Sequence, residues 1–78
     1  MLNHPLAVGT KVTTLVGETA DNGEGKEVHA APGTVGEITS ADFYEKQGWT
    51  YGVHFGEVWV FIDQTDSIDD PSKYTVAA

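Results

Sequence analysis

The chain has 78 residues, with twelve acidic residues, four lysines, no arginine and no cysteine, for a formal net charge of −8. A chain of this length forms one small domain and buries only about 60% of the surface of its unfolded state, so oligomerisation would help its stability. Without cysteine, a disulfide framework and thiolate metal ligands are excluded. The acidic balance argues against nucleic-acid binding, which depends on Lys and Arg contacts to phosphate.

Neither a membrane span nor a secretion signal is indicated by the sequence. No apolar run approaches the roughly 18 residues of a spanning helix. The first residues, MLNHPLAVG, lack a basic region followed by an apolar one. We therefore expect a cytoplasmic protein with no membrane partner.

The first half of the chain predicts two strands separated by a long loop. KVTTLV (11–16) is rich in β-branched residues, and TVGEIT (34–39) follows the turn signal Pro32-Gly33. The segment 16–33 between them is polar and rich in glycine, which predicts a loop. Within this loop only residues 28–31 are apolar enough to pair briefly or to fold back onto the domain.

The middle of the chain predicts a loop followed by a hairpin. SADFYEKQG (40–48) has some helical character and is interpreted as a loop with at most a single turn. GWTYGVHFGEVWVFI (48–62) predicts two strands that meet at Gly56-Glu57. This hairpin is the strongest structural signal in the sequence.

The remaining residues, DQTDSIDDPSKYTVAA, predict turns and one short strand. Asp63 and Asp66 suit a first turn, and Pro71 begins a second. Ile68 is predicted to point inward as an anchor. Residues 73–76 are predicted to form the last strand.

This order of elements resembles the SH3-like barrel superfold. The long loop 16–33 would match its RT loop, and Gly56-Glu57 its distal hairpin. PGTVGEI (32–38) is similar to the strand openings of KOW-type relatives. The resemblance covers residues 8–76 and implies an all-β, five-stranded, partly open barrel that forms a single domain over 1–78. Because such barrels have many unrelated functions, the fold alone does not indicate one.

A two-residue type II′ turn at Gly56-Glu57 sets the predicted register of the hairpin. Phe55 then lies opposite Val58, and strand alternation puts a continuous apolar set on one face. This face is predicted to be the core. Its members are Trp49, Tyr51, Val53, Phe55, Val58, Val60 and Ile62.

The opposite face of the hairpin carries aromatic residues where a single-layer sheet should be polar. It places His54 opposite Trp59 and Gly52 opposite Phe61, so that the rings can cover the strand glycine and His54 can stack on Trp59. Three interpretations stay open. The long loop, with Val28 and its alanines, covers the rings, or the rings form a subunit or partner interface. In the third, the register is slipped and the two faces exchange.

Motifs for catalysis and metal binding do not emerge from the sequence. His4, His29 and His54 are far apart and form no ligand motif. The acidic segments 21–27 and 63–70 lack the spacing of an EF-hand loop. Neither a nucleophile elbow nor a phosphate-binding loop is present. We therefore predict no enzymatic activity, no cofactor and no metal site.

Two further resemblances imply different ligands. DDPSKYTVAA (69–78) resembles the Pro-Ser-x-Tyr segment of peptide-binding SH3 domains, which implies that Tyr74 helps to line a groove for Pro-rich peptides. VWVFI (58–62) falls where plasmid-type dihydrofolate reductases have a Val-Gln-Ile-Tyr segment, but lacks its Gln and Tyr. Those tetrameric barrels bind NADPH and folate with lysines, and the charge of −8 argues against that activity.

The sequence thus predicts a non-enzymatic protein-interaction module or small accessory subunit. The predicted partner-binding residues are Trp59, Phe61, His54, Gly52 and Tyr74, with acidic residues of the long loop as an electrostatic rim. Self-association and binding of another protein both fit this prediction. The competing prediction is a small-ligand-binding or enzymatic oligomer whose site lies at the subunit interface.

Overall fold

The fold consists of short antiparallel strands joined by turns. A computed structural model describes residues 4–21, 23–64 and 68–77, and the predicted all-β class is confirmed. No helix in these ranges is long and apolar enough to cross a membrane. The strands are β1 (Lys11–Thr14), β2 (Glu18–Asp21), β3 (Glu27–Ala30), β4 (Val35–Tyr44), β5 (Gly48–Phe55), β6 (Val58–Asp63) and β7 (Tyr74–Val76).

The strands form two sheets. Five of them make an antiparallel sheet in the order β6-β5-β4-β1-β7, and β2 pairs with β3 in a separate hairpin. The β2–β3 hairpin lies next to β6. Within the described ranges, however, no hydrogen-bonded ladder joins β6 to β2 or to β7, and closure of the sheet into a barrel is not found.

The long loop predicted over 16–33 contains the β2–β3 hairpin. The two strands pair from Glu18 opposite Ala30 to Asp21 opposite Glu27, so the expected brief pairing of 28–31 is confirmed for residues 28–30. The prediction of a plain loop was wrong because only one side of this hairpin is apolar. Its inward residues join the core, whereas its polar outward residues dominate the composition.

The prediction of a loop over 40–48 was also wrong. Residues 40–44 continue β4 to its end, where Tyr44 pairs with Gly48, and only residues 45–47 form a turn. The register shifts between Ile38 and Ser40. Such a bulge adds a residue to one strand and interrupts its two-residue periodicity, and this interruption hid the second half of β4.

The β5–β6 hairpin has the predicted register. Gly56 has a φ angle of 64°, which suits the first turn position of a type II′ hairpin. Phe55 pairs with Val58 next to the turn, and the ladder continues to Thr50 opposite Asp63. The slipped register is therefore excluded, and the two faces of the hairpin are those predicted.

The chain after β6 returns to the sheet through a turn at Pro71. The backbone N–H of Lys73 donates to the carbonyl of Asp70 at 3.0 Å, and β7 follows, as predicted. Asp63 is the last residue of β6, while Asp66 lies outside the described residues.

One hydrophobic core is enclosed by the five-stranded sheet and the β2–β3 hairpin. Ile68 is buried in it, as predicted, whereas Trp49 and Val60 are only partly buried and pack against its border. Phe55, at 1% exposure, is among the most enclosed side chains. The fully buried apolar residues are Val12, Ile38, Tyr51, Val53, Phe55, Val58 and Ile68.

The hydroxyl of Tyr51 fixes the N-terminal segment to this core. It accepts a hydrogen bond from the backbone N–H of Leu6 at 2.8 Å and lies 2.7 Å from His4 Nδ1. His4 Nε2 is in turn 2.9 Å from the Asp69 carboxylate. Burial raises the pKa of Tyr51, the hydrogen bond from Leu6 opposes this shift, and the nearby Asp69 charge adds to it. The buried hydroxyl is thus fully used in holding the fold.

Candidate functional site

Strand alternation brings four of the predicted site residues together on the surface of the β5–β6 hairpin. Trp59 and Phe61 lie on β6, and their cross-strand partners on β5 are His54 and Gly52. Trp59 is 51% exposed and Phe61 is 64% exposed. We call these four residues the outer aromatic face.

The rings of the outer aromatic face contact one another. His54 stacks on Trp59 with ring centroids 5.4 Å apart and an interplanar angle of 28°, which confirms the predicted stacking. The ring of Phe61 is tilted against Trp59 at a centroid distance of 5.1 Å. Each ring limits the rotamers open to its neighbour.

Gly52 is the buried floor of this surface. A Cβ atom at this position would lie 2.5 Å from Ser40 Oγ, 3.1 Å from Trp59 Nε1 and 3.6 Å from Phe61 Cε1. The contact with Ser40 Oγ would force that side chain to move, and the contact with Trp59 Nε1 would be tight, so glycine at this position leaves room for both neighbours. The prediction that the rings cover the glycine is confirmed.

The interpretation in which the long loop covers the rings is wrong. In β3, Val28 and Ala30 point into the core, and His29 between them points to solvent. The apolar side chains of the β2–β3 hairpin are therefore used on the inner side of the sheet. Both rings on β6 remain more than half exposed.

A surface depression of about 410 Å³ lies beside the outer aromatic face. It forms where the turn of the β2–β3 hairpin approaches the β5–β6 turn, and among the residues that the structure describes its lining includes Asp21, Gly23, Glu57 and Trp59. The N–H of Gly23 donates to the Asp21 carboxylate at 2.8 Å, which orders this part of the hairpin. An indole ring and two carboxylates thus share one concave surface.

Further acidic residues lie on the same side of the sheet. Asp42 and Asp63 both pair with Thr50, in the row next to Phe61. Glu37, on β4, forms an ion pair with Lys11. The hydrogen bond and the charge of Lys11 lower the pKa of the Glu37 carboxyl. The outer aromatic face is therefore bordered by carboxylates at both ends.

Tyr74, the fifth predicted site residue, is not brought to this surface. It lies in β7, at the opposite edge of the sheet from β6, and is 8% exposed. Its hydroxyl donates to the Glu18 carboxylate at 3.0 Å, and the Thr14 hydroxyl donates to the same carboxylate at 3.1 Å. Burial, followed by the bond to Glu18, raises the pKa of Tyr74. The environment of Tyr74 is that of an interior hydrogen-bonded residue.

Two exposed aromatic residues at the end of β4 were missed by the sequence prediction. Phe43 is 60% exposed and contacts Trp49 edge-on at 5.5 Å, and Tyr44 is also more than half exposed. They were missed because 40–48 was interpreted as a loop. The available signal was the facing pair of segments DFY and GWT, which flank a short polar turn.

The three histidines lie apart, and each contacts a different group. His4 contacts Asp69, His29 contacts Glu27, and His54 stacks on an indole ring. Among residues 4–21, 23–64 and 68–77, no group of three or more His, Cys, Asp or Glu side chains is placed to hold a metal ion. The arrangement on β5 and β6 is suited to contact with another surface by its exposed rings.

Comparison with models of known protein families, with curated proteins and with solved structures finds no match for this chain. The outer aromatic face and the charges around it are the features of this chain that bear on its function.

Proposed function

We propose that this chain is a non-enzymatic protein-interaction module or small accessory subunit that binds a partner protein through the outer aromatic face. The observation that carries this proposal is the exposure of two contacting rings, Trp59 at 51% and Phe61 at 64%. Monomeric soluble domains rarely expose large contiguous apolar patches, and those that occur are commonly interaction sites. Trp is also among the residues most enriched at interface hot spots.

The order of the rings supports binding. Association loses affinity when flexible side chains must be immobilised. Here the rings of His54, Trp59 and Phe61 are already stacked or tilted against one another, and Gly52 lets them lie against the strand. A partner that covers them would remove apolar surface from water at a small cost in side-chain entropy.

We further propose that the domain is an SH3-like, partly open barrel. The strand order β6-β5-β4-β1-β7, with a hairpin inserted between β1 and β4, supports this architecture. Such a fold leaves one side of the β5–β6 hairpin outside the core, where a partner can reach it. A second copy of the chain is one such partner, and self-association would add buried surface to a small core.

Partner capture with matched variants tests this function. Three proteins are immobilised at equal density: the wild-type chain, the Trp59→Thr/Phe61→Thr variant and the Phe43→Ser control. Each is exposed to the same cell lysate, and the proteins that it retains are identified by mass spectrometry. Phe43 is a suitable control because it is comparably exposed but alternates onto the other side of the sheet. We expect a partner that the wild type and the Phe43 control retain and the double variant loses. Identical retention by all three folded proteins would contradict the proposal.

Sedimentation equilibrium of the same three proteins tests self-association. A wild-type oligomer that dissociates in the Trp59→Thr/Phe61→Thr variant, but not in the Phe43 control, would identify a second copy as the partner. If the wild type is monomeric, the outer aromatic face is open to another protein.

A further inference from the structure

We infer that the partner places a lysine or arginine side chain in the depression beside Trp59, an inference that rests on the proposed function. The lining includes Asp21, Gly23, Glu57 and Trp59. Of the described residues, none that lines the depression carries a positive charge. The surface therefore combines two carboxylates with an aromatic ring, and both attract a cation.

The two kinds of group act on different parts of a cationic side chain. The face of an indole ring attracts a guanidinium or ammonium group through its quadrupole, and Trp is the strongest of the aromatic residues in this respect. The carboxylates of Asp21 and Glu57 provide charge-assisted hydrogen-bond acceptors. The apolar stem of Lys or Arg can meanwhile lie along the ring.

Carboxylates flank the outer aromatic face in the strand ladder. Asp42 and Asp63 border its far end, and the nearby charge of Lys11 is neutralised by Glu37. The whole chain has a formal charge of −8. A negative potential over a binding surface increases the association rate of a basic partner and selects against acidic ones.

The same charges disfavour a second copy as the occupant. In a two-fold symmetric dimer the same surface meets itself, so Asp21 and Glu57 of both copies would lie close to one another. Like charges brought together in an interface weaken it. An uncharged apolar partner would partly desolvate both carboxylates and offer them no opposite charge. A basic protein segment satisfies the rings and the carboxylates together.

A short peptide probe tests the cation site directly. Isotope-labelled protein is titrated with an acetylated, amidated Gly-Arg-Gly-Arg-Gly peptide, and nuclear magnetic resonance follows the Trp59 indole N–H and the backbone amides of Gly23 and Glu57. We expect saturable shifts at these positions. The corresponding peptide with Glu in place of Arg should produce none. The absence of saturable shifts with the Arg peptide would overturn the inference.

Variants separate a local site from attraction by net charge. Asp21→Asn/Glu57→Gln removes two carboxylates from the depression. The control Glu45→Gln/Asp70→Asn removes one from the turn before β5 and one from the turn before β7, away from the depression. Each pair raises the formal charge by two, from −8 to −6. We expect the first pair to weaken peptide binding at least about fivefold, and the second to change it less than about twofold. Equal weakening by both pairs would show that only net charge acts.

A further variant isolates the ring. Trp59→Leu keeps an apolar side chain but removes the aromatic face, so cation–π attraction is lost while apolar burial is largely kept. We expect binding of the Arg peptide to weaken about fivefold, in line with exposed cation–π contacts. Unchanged affinity in this variant would remove Trp59 from the site and overturn the inference.

Failure of this inference is distinguishable from failure of the proposed function. One outcome of the capture experiment is a partner that is lost with Trp59→Thr/Phe61→Thr but retained by Asp21→Asn/Glu57→Gln. That result would support the interaction module and contradict the inference that the partner places a cationic side chain in the depression. A dimer that dissociates only when the rings are replaced would also contradict the inference, because the partner would then be a second copy of the chain. Loss of the partner in both variants supports the inference.

Discussion

The two faces of the β5–β6 hairpin contain similar residues in different surroundings. Phe55, on the inner face, is 1% exposed, while Phe61, on the outer face, is 64% exposed. The inner face is covered by the β2–β3 hairpin and by Ile68. No element within 4–21, 23–64 and 68–77 covers the outer face to the same extent. The core is therefore defined by the side chains that other elements cover, and not by apolar composition alone.

This difference assigns different roles to the two faces. In a domain of 78 residues, the inner face supplies most of the apolar burial that stabilises the fold. The outer rings are ordered by contacts with each other but keep most of their surface in water. Substitutions on the inner face should change stability, and substitutions on the outer face should change binding.

The largest expected effect is that of Phe55→Ala. The ring is enclosed in the core, so its removal should lower the free energy of unfolding by about 3–5 kcal/mol or leave the chain unfolded. Urea denaturation followed by circular dichroism measures the change. A loss below about 1 kcal/mol would mean that the inner face is not the core.

The second effect concerns a polar group on the inner face. Tyr51→Phe keeps the ring but removes the hydroxyl that accepts from Leu6 and contacts His4. Leaving these partly buried partners unsatisfied should cost about 1–3 kcal/mol. The matched control Tyr44→Phe, at an exposed tyrosine, should change stability by less than about 0.5 kcal/mol. Equal effects of the two substitutions would argue against the buried network.

The third effect tests the contact between the glycine floor and the rings. Gly52→Ala places a Cβ atom 2.5 Å from Ser40 Oγ and 3.1 Å from Trp59 Nε1. We expect a loss of about 1–2 kcal/mol and a change in Trp59 fluorescence, because the side chains must move. Adding Ser40→Ala removes the nearest atom and should recover part of the loss. A variant as stable as the wild type with unchanged fluorescence would show that the floor tolerates a side chain.

The smallest expected effect is that of Phe61→Ala, the outer counterpart of Phe55→Ala. Since most of this ring remains in water, its removal should cost less than about 1 kcal/mol. Thermal and urea unfolding of the two alanine variants provide a direct comparison of the faces. A loss of several kcal/mol at Phe61 would place this ring in the core.

The sequence was sufficient to predict the parts of the structure that local rules determine. Glycine at the first position of a two-residue turn set the register of the β5–β6 hairpin, and alternation from that turn assigned Phe55 and Phe61 to opposite faces. The buried anchor Ile68 was likewise evident as an isolated apolar residue among polar ones. Four of the five predicted site residues were brought together for the same reason.

The remaining features depend on contacts between distant segments. The bulge between Ile38 and Ser40 interrupts the alternation of β4, so its second half could not be recognised from periodicity. Which face the β2–β3 hairpin covers is decided by tertiary packing, since Val28 and Ala30 could have packed on either side of the sheet. The burial of Tyr74 against Glu18 joins residues 56 positions apart, and no local pattern indicates it.

Retention of partner proteins by the Trp59→Thr/Phe61→Thr variant tests the central claim most directly. Threonine keeps the strand propensity of both positions while removing the rings, so the variant should stay folded and lose less stability than Phe55→Ala. With the variant folded, we predict that the partner retained by the wild type is lost. The same partner retained by a folded double variant would contradict the assignment of the outer aromatic face as a binding surface.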